Sequence, residues 1–83
     1  MRNRIASDLI REWQRCQRAD LRVVDLRYDR HIHLWCALLR SAYGRERLAS
    51  GPTPAAALIA ACRKLGYSRR GAELVHVPEL VAS

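Results

Sequence analysis

LRVVDLRYDRHIHLWCALLR, residues 21–40, is the stretch whose period decides the fold. Leu21, Val23, Val24, Leu26 and Tyr28 form a β-rich run interleaved with Arg and Asp, which reads as a strand. Asp29-Arg30 makes a turn. His31 to Tyr43 (HIHLWCALLRSAY) reads as a second strand. Its alternation puts Ile32, Leu34, Cys36 and Leu38 on one face and His31, His33, Trp35, Ala37 and Leu39 on the other. Ala37 to Arg40 equally fits a helical continuation, so the strand's far end stays open. Gly44 turns the chain, and Arg45 to Ser50 (RERLAS) returns as a short third strand.

Both flanks of this meander change to a helical period. Upstream, Asn3 to Arg18 contains neither Gly nor Pro. At 100° per residue, Ile5, Leu9, Trp13 and Cys16 share one arc, with Ala6 and Ile10 beside it. Downstream, Gly51-Pro52-Thr53-Pro54 is the clearest punctuation in the chain. Thr53 caps a helix that begins at Pro54, where a missing N–H costs nothing. That helix runs through Leu65, with Arg63 and Lys64 in its last turn and Gly66 as its stop. Leu58, Ile59, Cys62 and Leu65 fall on one side; Ala56, Ala57 and Ala60 fall on the other. The order helix–strand–strand–strand–helix is an α+β domain in which two helices cover a small antiparallel sheet. The core spans about residues 3–66, and 67–83 form a tail. Its strand-like run at Glu73 to Val77, stopped by Pro78, adds an edge strand or lies loosely on the sheet.

Eighty-three residues leave room for a single small domain, covering 1–83, without a deep inter-domain cleft. With 49% hydrophobic and 28% charged residues the chain is globular rather than disordered. No apolar run is long enough to span a bilayer, and the charged N-terminal stretch lacks the apolar segment of a signal peptide. Three Cys without framework spacing fit a reducing cytosol. The strong deviation is charge: 15 basic residues against 8 acidic ones, net +7. An Arg-rich excess of cations on so small a body favours an anionic partner, whether nucleic acid, an acidic protein surface or a membrane face, of which no membrane partner is expected here.

The cations are grouped. Arg4, Arg11, Arg15 and Arg18 lie on one helix stripe only about 60° wide, opposite the apolar arc. Guanidinium forks suit phosphates and carboxylates. Asp8 stands four residues after Arg4 and three before Arg11, and Glu12 three before Arg15, so about half of that charge pairs internally. A second group flanks the turns: Arg45 and Arg47 in the third strand, and Arg69-Arg70, which sit in an exposed, unencumbered loop (Ser68 to Gly71). These eight arginines are the candidate partner-binding residues.

Chemistry other than binding finds little support. His31-x-His33 lacks a third ligand, because Cys36 has the opposite parity, so no metal site is expected and the two His line a sheet face. Cys36 and His33, or Cys62 and His76, are the only imaginable nucleophile–base pairs, and both Cys lie in apolar runs where a thiol is packing. The acids are scattered among the arginines. We expect no cofactor and no enzymatic activity. The Ala56/Ala57/Ala60 side reads as an exposed, smooth surface that another helix approaches closely; the chain is then a monomer or weak dimer.

The element order resembles the double-stranded-RNA-binding domain. That family contacts phosphates through basic residues at the start of its second helix, whereas here Thr53, Pro54, Ala55 and Ala56 stand there and no cation precedes Arg63. RNA binding would therefore fall to the candidate arginines. The stretch GPTPAAALIAACRKLGY (51–67) is also similar to the closing helix of small phage proteins of the α-β-α sandwich type, and about 35 residues from His33 to Tyr67 share that look. Anti-CRISPR inhibitors are phage proteins of this size. The resemblance implies a non-enzymatic inhibitor in the host cytosol that docks on a nucleoprotein effector complex, on its protein or its bound nucleic acid. The alternatives are a free nucleic-acid-binding module and a virion component that oligomerises through the Ala side.

Overall fold

The computed structural model describes residues 3–71 and 73–77, with side chains from Ser7 onward. The side chains of Arg4, Ile5 and Ala6, and Pro78 with its expected strand stop, lie outside the described residues. The elements are α1 (Asn3–Arg18), β1 (Arg22–Asp29), β2 (Leu34–Arg40), β3 (Glu46–Gly51), α2 (Pro54–Lys64), β4 (Tyr67–Arg70) and β5 (Glu73–His76). The fold is α+β: the described residues form two helices, a three-stranded antiparallel sheet in the order β1-β2-β3, and a separate β4-β5 hairpin.

The doubled valine in residues 21–28 has a structural cause. Pairing of β1 with β2 shifts register between Val23 and Asp25, so Val24 is the extra residue of a bulge. The bulge lets Val23 face Leu39 and Leu26 face Ala37, both on the core side, although they are three residues apart. Beyond them Tyr28 pairs with Trp35, their rings edge-on at 5.6 Å. Ala37 and Leu39 are buried while Leu34, Cys36 and Leu38 face away, so the expected parity of β2 holds over its ordered length.

Its expected beginning does not hold. Residues 30–33 form the β1–β2 turn, in which the Asp29 carboxylate accepts the His31 backbone N–H at 2.9 Å. His33 adopts a left-handed φ of 56° and its Nδ1 lies 3.5 Å from the Tyr28 hydroxyl. His31 and His33 therefore sit in a turn and do not share a sheet face. The far end closes at Arg40, where the Ser41 hydroxyl accepts the backbone N–H groups of Tyr43 and Arg45 and Gly44 takes a φ of 86°.

α2 lies across the covered face of the sheet. Thr53 is extended, and its Oγ1 accepts the Ala56 N–H at 3.1 Å, with Pro54 in the first turn. Leu58, Ala57, Ala61 and Cys62 enter one core with Ala37, Leu39 and Ala49. The seating is close: a Cβ on Gly51 would come within 2.8 Å of the Ala57 backbone nitrogen. This overturns the expected exposed alanine side. Ala57 is fully buried and Ala56 and Ala60 are half-buried, because small residues are what let the helix approach the sheet.

The tail differs as well. After Gly66 (φ 87°) the chain forms β4, then reverses at Gly71 into β5. Tyr67 joins the core and stacks obliquely on His76, with ring centroids 5.0 Å apart. The strand expected at Glu73 to Val77 forms as β5, but it pairs with β4 in a hairpin against α1 and α2, and among the described residues it adds no strand to the main sheet.

Candidate anion-binding groove

α1 ends in a turn that its own sequence closes. Asp20 takes a left-handed φ of 61°, and the Leu21 N–H reaches back to the Cys16 carbonyl at 2.8 Å. The buried arc that results runs through Leu9, Glu12, Cys16 and Ala19. It is turned by roughly 35° from the apolar arc read in the sequence. Ile10 and Trp13 are left exposed, Ile10 by 58%, while Glu12 is only 4% exposed.

A carboxylate so far from water needs charged partners. Glu12 has two. Arg15, one turn on, donates to its Oε2 at 2.5 Å, and Arg69 reaches the same oxygen from β4. The expected i, i+3 pair with Arg15 thus forms, as does Asp8 with Arg11 at 3.7 Å. Arg69 is no loop residue: it belongs to a strand and is tied to the helix, which corrects the expectation of an unencumbered pair.

These contacts bring Arg11 and Arg15 of the stripe to the seam between the helices rather than opposite the core. Arg11, Arg15 and Arg69 line a shallow groove of about 340 Å³ whose other wall is the start of α2, with Thr53, Ala56 and Ile59. Asp8 and Glu12 also border it, so three guanidiniums meet two carboxylates. The first turn of α2 contains no acidic residue, and the positive end of its dipole adds to the excess. Arg11 is held most loosely, with its side chain 61% exposed and only a long contact to Asp8.

The other candidates lie apart from this groove. Arg18 and Arg70 are exposed and do not line it. Arg45 is exposed in the β2–β3 turn, and Arg47 on β3 donates to the neighbouring Glu46 carbonyl. Of the eight expected arginines, three are thus gathered, four are dispersed, and the Arg4 side chain is not described. Sequence reasoning missed Glu12 as the organiser. The three-residue spacing signals its pairing with Arg15, but the third partner comes from β4, a four-residue strand without apolar alternation.

Among the described residues no three His, Cys, Asp or Glu side chains come together as a metal site. Among the described residues, too, no helix is long and apolar enough to cross a membrane. No protein-family model, curated protein or solved structure matches the chain.

Proposed function

We propose that this chain is a non-enzymatic binding protein whose groove between α1, β4 and the start of α2 grips a phosphate-bearing surface. In this reading it is an anti-CRISPR-like inhibitor that docks on a host nucleoprotein effector complex. The observation that carries the reading is the convergence of Arg11, Arg15 and Arg69, from two elements remote in sequence, on one open groove. Glu12 orients two of the three forks from beneath, and Arg11 faces outward. Preoriented guanidiniums take phosphate oxygens two at a time, at less entropic cost than free surface cations. The net charge of +7 supplies long-range attraction to the same partner.

Fluorescence anisotropy against labelled duplex DNA, single-stranded RNA and duplex RNA at two salt concentrations, paired with capture of a purified CRISPR effector complex, tests this. Expected is weak, salt-labile binding to each naked nucleic acid together with capture of the effector. Arg11→Glu should reduce that capture at least about tenfold, while Arg45→Glu changes it by less than about twofold. Submicromolar binding to one naked nucleic acid, with log K falling by about 0.7–0.9 per phosphate contact against log salt, would make the chain a free nucleic-acid module instead. Capture unaffected by Arg11→Glu would remove the groove from the mechanism.

A further inference from the structure

The seam beneath the groove holds a second pair of reactive groups. Cys16 of α1 is fully buried and Cys62 of α2 is 2% exposed, both as free thiols. Their Sγ atoms lie 3.6 Å apart although 46 residues separate them along the chain. A disulfide requires about 2.05 Å between the sulfurs, so closure needs an approach of about 1.5 Å, within reach of small side-chain rotations. The third cysteine is no rival partner: Cys36 faces away from α2 on β2, beside Arg27 and Ser50.

We propose that Cys16 and Cys62 are a covalent modification site, an internal dithiol that hydrogen peroxide converts to a disulfide stapling α1 to α2. The Cys16 thiolate attacks the O–O bond, giving Cys16 sulfenic acid and hydroxide, which takes up the proton that Cys16 released. The Cys62 sulfur then attacks the Cys16 sulfur; the S–S bond forms, the S–O bond breaks, and the leaving hydroxide departs as water with the Cys62 proton. Overall two thiols lose two electrons and two protons, and peroxide is reduced to two waters. Either sulfur can donate across the contact; in the arrangement where Cys62 donates, that bond lowers the Cys16 thiol against its burial and, together with burial, raises Cys62, which leaves Cys16 to attack. Peroxide is small enough to enter through local opening of the helix seam, where bulkier thiol reagents are excluded.

Closing a loop of this length removes freedom from the unfolded chain and stabilises the fold, whatever the groove binds. The test treats the full chain carrying Cys36→Ser with hydrogen peroxide, so that any intramolecular disulfide joins Cys16 to Cys62. The monomer's intact mass should fall by two hydrogens, and its Tm should rise by at least about 10 °C, both reversed by dithiothreitol. A mass that rises by oxygen without cross-linking, a mass that does not change, a disulfide-linked dimer as the main product, or a cross-link with no rise in Tm would each overturn the proposal.

Discussion

α1 and α2 lie against each other, yet they bury unlike faces. α1 is strongly patterned, with arginines along one side and large apolar residues along another, and it leaves Ile10 and Trp13 partly in water while burying Glu12. α2 is weakly patterned and Ala-rich, and six of its eleven residues are buried. The difference lies in what each helix meets. α2 faces a sheet lined by Ala37, Ala49 and Gly51, where small size decides how close the helix can come. α1 meets α2 and the β4–β5 hairpin, which presents Arg69 to the buried Glu12, and that ion cluster is expected to set its rotation. Amphipathic contrast therefore identifies a helix more reliably than it identifies the face that the helix buries.

That contrast can be broken residue by residue. The largest expected effect is on α1's charged side. Glu12→Gln removes the buried carboxylate that Arg15 and Arg69 share, and should lower stability by about 3 kcal/mol in urea denaturation. A loss near zero would mean that the ion cluster does not set the rotation of α1.

The next effect lies under α2. Gly51→Ala puts a methyl against the backbone of Ala56 and Ala57, atoms that cannot rotate away, and should destabilise by about 2 kcal/mol. An unchanged denaturation midpoint would show that α2 can ride up on the sheet, and the close-approach account of its alanines would fail. The smallest effect is on the apolar side of α1. Ile10→Gln should shift stability by no more than about 0.5 kcal/mol, because that side chain remains largely in water. A clear destabilisation there would restore the apolar arc as the buried face.

The β meander, both helices and the α+β class were legible from residues 3–66. Their signals are local: alternation, a Thr-Pro cap, a helix-stopping Gly. The Asp8–Arg11 and Glu12–Arg15 pairs were legible for the same reason, since a three-residue helical spacing brings side chains together. The turn at His31 and His33 was not, because apolar alternation continued through it while the Asp29 side chain captured the backbone. The strand at Tyr67–Arg70 was also missed, being four residues long and half charged.

What the sequence alone determined about this protein is therefore its two helices and the β meander between them, its charge and the candidate arginines. Only the tertiary structure decided which of those arginines lie together. Arg69 reaches Glu12, and Cys16 meets Cys62, across dozens of intervening residues, on the side of α1 that buries Glu12. Such meetings depend on how elements seat against one another, and seating follows from steric size and charge compensation at the interfaces, which no pattern within a single segment records.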